Sequence, residues 1–299
     1  MSDKNILDAL LQQLPGHCVL TRPEELRPYE CDGLSAYRQL PMVVVIPDTL
    51  EQVQDTLRLC AEHEVPVVAR GSGTGLSGGA LPLENGVLLS MAKFNRILDV
   101  DVHNRIARVQ PGVTNLSISN TVAEHGLYYA PDPSSQIACS IGGNVAENAG
   151  GVHCLKYGLT THNIQALEVL TIDGEQFTIG GSALDAPGYD LLALLTGSEG
   201  LLAIITEITV KLLPSPVIAQ VFMAAFESVD AAGAGVTAVI ASGIIPAGLE
   251  LLDKPSIDAV EKFIHTGYPQ DAAAILLCEL DGTQADVTAQ IKRVNQVFR

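Results

Sequence analysis

The chain has 299 residues, a length typical of about two domains, and 47% of them are hydrophobic, which is enough for sizeable cores. The 34 acidic residues outnumber the 17 basic ones and give a net charge of −17, which excludes nucleic acid as the expected partner because phosphate backbones would be repelled. No stretch of about 18 uncharged apolar residues occurs, and no basic and apolar leader opens the chain, so neither a membrane span nor a signal peptide is predicted. We therefore expect a cytoplasmic protein, and docking onto a membrane partner stays open.

The first elements alternate between helix and strand. Apolar spacing predicts a helix over 3–14, and the run between two prolines predicts a buried strand over 42–46. A capping-box pattern that starts at Thr49 opens a helix reaching about His63, and a strand follows at 65–69. This order predicts two parallel neighbouring strands with the helix packed on one face.

The middle of the chain combines short strands with loops rich in glycine. Residues 70–79 and 130–151 are expected to be irregular. The regular elements predicted here are strands at 87–90, 96–100, 105–109 and 203–212, a helix from Asn115 to His125 stopped by Gly126, and a hairpin at Asp173-Gly174.

A domain boundary is predicted at Pro214-Ser-Pro216. Strands at 217–226, 247–252 and 272–280 alternate beyond it with helices at 229–242, 255–265 and 284–298. We expect a first domain over 1–214, with a boundary between its two lobes near 110, and an incomplete α+β domain over 215–299, because the pattern stops inside a helix.

The sharpest motif is the loop that follows the strand at 65–69. Its glycines at 71, 73, 75, 78 and 79 leave successive backbone N–H groups unshielded, and such groups can converge on a diphosphate. Ser72, Thr74 and Ser77 add hydroxyl donors, and Arg70 adds positive charge.

Two other interpretations of this loop are weighed. Gly73, Gly75 and Gly78 match the dinucleotide fingerprint G-x-G-x-x-G, but that motif must open a helix, and here Pro82 and an Asn85-Gly86 turn lead into a strand. A glycine-rich surface loop without a ligand is the alternative interpretation.

Two further segments are poor in bulky side chains. Residues 131–151 contain two Gly-Gly pairs around Asn144 and Asn148, which would let the backbone approach a flat ligand. Gly197-Ser-Glu-Gly200 opens directly onto an apolar strand. Taken alone, each could be an ordinary turn.

Together these segments resemble the FAD-binding domain of the vanillyl-alcohol-oxidase type of flavoenzyme, in which a diphosphate loop, a middle loop and a late Glu-Gly turn enclose FAD. The resemblance covers essentially all of 5–299, and an α+β (α/β) fold with a two-lobed FAD-binding domain and a substrate cap is what it implies. The segments that carry it are 29–37, 70–80, 128–157, 196–200 and, in the cap, 243–253.

The resemblance implies a set of cofactor-binding residues. The diphosphate side would comprise Arg70, Gly71, Ser72, Gly73, Thr74, Gly75, Leu76 and Ser77. The flavin and ribityl side would comprise Pro131, Asp132, Ser135, Ser140, Gly142, Gly143, Asn144, Asn148 and Gly151, completed by Glu199, Gly200 and Ile205. Members with covalent flavin use a His in the diphosphate loop, and none occurs in 70–80, so non-covalent FAD is expected.

The implied activity is oxidation of a small 2-hydroxy acid, with glycolate first and D-lactate or D-2-hydroxyglutarate as alternatives. Electrons would leave through partner subunits, one of them an iron–sulfur protein, towards a membrane quinone. Related subunits are longer and carry a His-rich metal and substrate site with the catalytic base in their later half. That base is therefore expected beyond Arg299, and these 299 residues alone are expected to be nearly inactive. A non-catalytic FAD-binding or assembly subunit and an NAD-dependent Rossmann enzyme are the rival interpretations.

The cysteines and histidines carry no expected metal site. The six cysteines contain no C-x-x-C pair and fit neither a disulfide framework nor a zinc site. His153 and Cys154 are predicted to pack or to form hydrogen bonds, and His17 with the other scattered histidines is assigned to the surface or to helix ends.

Overall fold

A computed structural model describes residues 2–182 and 188–298 of the protein. Its contacts divide the chain into two units, the first comprising Met1–Gly150 and Leu159–Leu213 and the second Gly151–Gly158 and Pro214–Arg299. The sequence placed 151–158 in the first domain, whereas the contacts of this segment are with the second unit.

The first unit contains most of the elements. Its helices are α1 (Ser2–Gln13), α2 (Pro23–Leu26), α3 (Leu50–Glu62), α4 (Asn115–Val122), α5 (Ile141–Glu147) and α7 (Leu191–Leu195). Its strands are β1 (Val19–Leu20), β2 (Val43–Val45), β3 (Val67–Arg70), β4 (Val87–Ser90), β5 (Ile97–Asp101), β6 (Ile106–Val109), β7 (Leu127–Tyr128), β8 (Ile164–Leu170), β9 (Gln176–Gly180) and β10 (Ile204–Lys211), with Leu213 entering β11 (Leu213–Pro214).

The first sheet has the order β1-β2-β4-β3. Both β2 and β3 run parallel to β4, and β1 is antiparallel to β2. The prediction that β2 and β3 are neighbours was wrong, because the fully buried β4 lies between them. Thr49 caps α3 as predicted, by accepting from the Gln52 amide, and Val53, Leu57 and Cys60 form the buried inner face of that helix.

The second sheet is antiparallel, with the order β5-β6-β10-β8-β9. The strand predicted over 203–212 is confirmed as β10, along which every second residue is buried. The lobe boundary predicted near 110 falls after β5 and β6, yet both strands pair within this sheet, so the chain changes sheets between Ser90 and Ile97.

The second unit is a three-stranded antiparallel sheet, β12-β14-β13, with helices. Its remaining elements are α6 (Cys154–Tyr157), β12 (Ile218–Phe226), α8 (Val229–Ala241), β13 (Gly248–Asp253), α9 (Lys254–Ile264), β14 (Ala274–Gly282) and α10 (Gln284–Val297). The predicted strand–helix alternation is confirmed, and Arg299 lies outside the described residues. None of the helices described for either unit is long and apolar enough to cross a membrane.

Candidate FAD-binding site

The glycine loop begins where β3 ends. Arg70 is the last residue of the edge strand β3 and pairs with Ser90 of the inner strand β4, so the start of the loop is anchored to the first sheet. The described residues 71–86 contain no helix before β4, which confirms that the glycines do not open the helix a Rossmann motif requires.

The Arg70 side chain holds the two ends of this loop region together. It is 8% exposed, and its guanidinium donates to the carbonyls of Cys31 at 2.8 Å, Ala80 at 3.3 Å and Tyr29 at 3.4 Å. The guanidinium carbon also lies 5.6 Å from the centre of the Tyr29 ring. The sequence predicted that Arg70 supplies positive charge near the loop. The structure shows that its side chain also fixes the position of the loop.

The backbone amides of the loop are free to bind an anion. Among the described residues, no amide of 71–80 donates a hydrogen bond to a backbone or side-chain acceptor. A free amide donor gains most from an anionic oxygen, and several in succession make a phosphate cradle.

The glycines permit close packing around this cradle. A Cβ on Gly71 would lie 2.1 Å from Ser140 Oγ, and one on Gly73, whose φ is +66°, would lie 2.3 Å from Arg70 Nη2. A Cβ on Gly33 would lie 2.7 Å from the Gly75 carbonyl. Larger residues at these positions would displace the loop.

The second glycine-rich segment is partly helical, which the sequence did not predict. Ser140 caps α5 by accepting from the Gly143 amide at 3.4 Å, and the Gly142 amide donates to Pro111 O at 2.8 Å. The Asn144 amide group is also engaged, since its Oδ1 accepts from Asn115 Nδ2 at 2.9 Å. This segment therefore supplies a wall against the loop rather than a second set of free amides.

Two carboxylates lie on the same wall. Glu147 Oε2 accepts from Ser77 Oγ at 2.9 Å, and a Cβ on Gly79 would lie 2.8 Å from Glu147 Oε1 and 3.0 Å from Glu199 Oε2. Glu199 has a φ of +53°, a strained value for a residue with a side chain. Glu147 was not predicted as a site residue, and its position three residues after Asn144 was the only signal in the sequence.

Loop, wall and turn enclose a cavity of about 310 Å³. The predicted residues that line it are Arg70, Gly71, Ser72, Gly73, Thr74, Gly75, Leu76, Ser135, Ser140, Gly142, Gly143, Asn144, Glu199, Gly200 and Ile205. Further residues that line the cavity are Met91 and Pro111, which lie outside the glycine-rich segments, and Pro133, Cys139 and Glu147, which lie within 131–151.

The other predicted residues do not line this cavity. Ser77 holds Glu147, Pro131 O accepts from Asn115 Nδ2 at 2.9 Å, and Asn148 Oδ1 accepts from the Thr161 amide at 3.0 Å. Asp132 is half-buried beside Pro131, and Gly151 belongs to the second unit, where its amide contacts Cys154 Sγ at 2.9 Å. Their predicted cofactor contacts stay predictions.

The second unit has a polar cluster of its own. Asp281 is 4% exposed; its carboxylate accepts from Tyr157 Oη at 2.6 Å and is ion-paired with Lys156. His153 Nε2 lies 3.4 Å from Glu279 Oε1, as expected of a hydrogen-bonding residue. These contacts attach 153–157 to β14.

Comparison with known proteins identifies the family. Residues 41–180 match the model of the FAD binding domain, and residues 216–299 match that of the C-terminal domain of FAD linked oxidases. The chain belongs to the FAD-linked oxidase family. The alternative of an NAD-dependent Rossmann enzyme was therefore wrong.

Relatives and solved structures agree with this assignment. The glycolate oxidase subunit GlcD of Escherichia coli K12 is 63% identical over 98% of this chain and 59% of its own length. GlcD of Bacillus subtilis is 42% identical over 91% of this chain and 58% of its own length. A D-lactate dehydrogenase of Anaerostipes hadrus is 34% identical over 90% of this chain and 58% of its own length. The chain thus spans less than two thirds of the length of these relatives.

The same fold occurs in a solved oxidase structure. The 4-ethylphenol oxidase of Gulosibacter chungangensis superposes with a TM-score of 0.84 at 19% identity, over 99% of this chain and 63% of that one. The loop amides, the wall of α5 and the cavity suit FAD, since they offer phosphate donors beside a space bounded by small residues.

Proposed function

We propose that the protein oxidises a small 2-hydroxy acid with FAD, and that glycolate, which is converted to glyoxylate, is its preferred substrate. The observation that carries this proposal is the row of free amides at 71–80 that opens into the cavity beside α5. Identity of 63% to a glycolate oxidase subunit supports the substrate.

Each part of the site has a separate role in this proposal. The amides of 71–80 bind the diphosphate, and Arg70 fixes the loop that presents them. The Gly142-Gly143 wall lets a flat ring approach, and Glu147 and Glu199 are acceptors for hydroxyl groups of the ribityl or ribose chains. When bound, the flavin supplies the two-electron acceptor for hydride.

The cofactor is proposed to be non-covalent, because no histidine occurs in 70–80. Partner subunits, one of them an iron–sulfur protein, are proposed to take the electrons onward, since the similar GlcD proteins are named as subunits. The proposed location is the cytoplasm, with contact to the membrane through those partners.

Flavin content tests the binding half of the proposal. The purified protein should be yellow, with about one FAD per chain that denaturation releases into the supernatant. A flavin that stays attached to the denatured chain contradicts non-covalent binding, and a chain that takes up no FAD contradicts the site.

Substrate reduction tests the other half. A chain extended past Arg299 to the length of the similar GlcD proteins, and assembled with its partner subunits, is mixed anaerobically with glycolate, D-lactate or D-2-hydroxyglutarate, and bleaching of the flavin is followed. Fastest bleaching by glycolate is expected. Preference for D-lactate would favour the activity named for the Anaerostipes hadrus relative, and no bleaching by any of the three would indicate a non-catalytic FAD-binding subunit.

A further inference from the structure

Three side chains with different donor atoms converge beside the end of β2. His17, Cys18 and Asp48 each offer one nitrogen, sulfur or oxygen, and these atoms all lie within 4.8 Å of one another. Asp48 is 30 residues from Cys18 in the sequence, so the cluster could not be predicted from a short metal-binding motif. None of the three lines the cavity assigned to FAD.

The backbone fixes this convergence. β1 pairs with β2 through Val19 and Val45, and the Ile46 amide donates to the Cys18 carbonyl at 2.8 Å. Cys18 is fully buried within the main core cluster of the first sheet. The thiol is therefore placed by the sheet and by core packing.

The carboxylate of Asp48 is oriented by contacts on both oxygens. Oδ1 accepts from Lys93 Nζ at 2.6 Å. Oδ2 lies 2.6 Å from His17 Nε2 and 3.2 Å from Cys18 Sγ. Lys93 thus acts as an outer partner that leaves Oδ2 turned towards the imidazole and the thiol.

The combination of donors selects a class of ion. Imidazole, thiolate and carboxylate together suit zinc and similar borderline ions, whereas magnesium and calcium prefer sites made of oxygen atoms. Binding exchanges the thiol proton for the metal, so that Cys–SH and M²⁺ give Cys–S–M⁺ and one proton released to solvent.

We propose that His17 Nε2, Cys18 Sγ and Asp48 Oδ2 bind one zinc-class divalent cation. Gln52 Oε1, which lies 3.5 Å from Cys18 Sγ, or a water completes the fourth position. The thiolate and the carboxylate neutralise the ion, and the charge of Lys93 keeps the affinity below that of a closed structural site. The ion would join the residues just before β1 to Asp48, three residues after the end of β2, and so stabilise the first sheet.

The test combines zinc stoichiometry with X-ray absorption at the zinc edge. The FAD-loaded protein is dialysed against zinc chloride and then against buffer. One zinc per chain is expected, with one sulfur at about 2.3 Å and nitrogen or oxygen neighbours at about 2.0–2.2 Å. Cys18→Ser should remove the sulfur neighbour and weaken zinc binding by at least about tenfold.

Further variants separate a metal site from a hydrogen-bonded cluster. His17→Gln and Asp48→Asn change partly exposed side chains, and each should lower zinc affinity while circular dichroism and FAD content stay unchanged. Cys154→Ser and Asp55→Asn, a matched thiol and a matched carboxylate outside the cluster, should bind zinc as the parent does. Zinc that is not retained, that has no sulfur neighbour, or that keeps its sulfur in Cys18→Ser overturns the proposal.

Discussion

The guanidinium of Arg70 is charged, yet its donors are directed to the protein's own carbonyls. Burial lowers the pKa of Arg70 and the nearby Asp32 carboxylate opposes that change, but an arginine side chain stays protonated in proteins. The main effect of Arg70 is thus to hold Tyr29, Cys31 and Ala80 around the loop. The positive charge near the cradle is an additional benefit for an anionic ligand.

Arg70→Lys separates charge from geometry. A lysine keeps the charge but loses the planar fork that reaches several carbonyls. We expect the Kd for FAD to rise about tenfold, equivalent to about 1.4 kcal/mol, in a fluorescence titration. Arg108→Lys is the control, because Arg108 is exposed and pairs with Glu207 on the second sheet. Equal FAD affinity in the Arg70 variant and the parent would contradict the positioning role.

Gly142 shows the packing demand on the wall of the cavity. A Cβ at this position would lie 2.5 Å from Pro111 Cβ and 3.0 Å from Pro111 O. Gly142→Ala should therefore lower the free energy of unfolding by about 1–3 kcal/mol through overpacking, and weaken FAD binding, as measured by thermal unfolding and flavin titration. Gly181→Ala, which meets no atom within 4 Å, should unfold at the parental temperature.

At the scale of elements, periodicity predicted most helices and strands but not α5. Gly142 and Gly143 have poor helix propensity, so the segment looked irregular. The helix forms because Ser140 caps it and because Val113 and Pro111 accept from its first amides. Those acceptors are distant in sequence, so the local pattern could not predict the helix. The position of Glu147 in the site and that of β4 between β2 and β3 also depend on contacts distant in sequence, and could not be predicted for the same reason.

The cap of α9 gives an element-scale prediction on pH. Asp253 accepts from the Ser256 amide at 3.0 Å, and hydrogen bonding from Ser256 holds its pKa below the ordinary value. Because the pKa of Asp253 is lower in the folded protein than in the unfolded chain, its ionised carboxylate contributes fully to stability at pH values above the unfolded-state pKa. This contribution is lost as the pH falls through the folded-state pKa.

Asp253→Asn keeps a capping oxygen without the titration. At neutral pH the parent should unfold at a slightly higher temperature than the variant, because the carboxylate also interacts favourably with the helix N-terminus. The difference should shrink as pH falls below about 4, in melting curves recorded across that range. A difference that is independent of pH would show that the charge of Asp253 does not act on α9.

At the scale of the whole molecule, the connectivity could not be predicted from sequence. The chain enters the second unit at Gly151, returns to the first at Leu159 and leaves it again after Leu213. The sequence predicted a single boundary near 214, because nothing in the composition of 151–158 marks a change of unit. Contacts of Lys156 and Tyr157 with Asp281 decide where this segment belongs.

Asp281→Asn tests how strongly that segment is attached. The change weakens the ion pair with Lys156 and the hydrogen bond from Tyr157 to a buried carboxylate, so we expect the second unit to lose about 1–3 kcal/mol of unfolding free energy. Tyr157→Phe removes the hydroxyl that donates to this buried carboxylate and should cost about 1.5–3 kcal/mol. Calorimetry of the whole chain would show the transition of the second unit at a lower temperature.

The same variants link stability to the cofactor through the covalent chain. Ala149 lines the FAD cavity and is two residues before Gly151. Its carbonyl accepts a hydrogen bond at 2.7 Å from the hydroxyl of Thr160, which lies just after the chain returns to the first unit. Release of 151–158 in Asp281→Asn should therefore weaken FAD binding. Asp258→Asn is the control, because it breaks an exposed pair with Lys254 within α9. It should change the free energy of unfolding by a few tenths of a kcal/mol and leave FAD affinity unaltered. If Asp281→Asn unfolds earlier but holds FAD as the parent does, the segment stabilises the second unit alone and does not support the cavity.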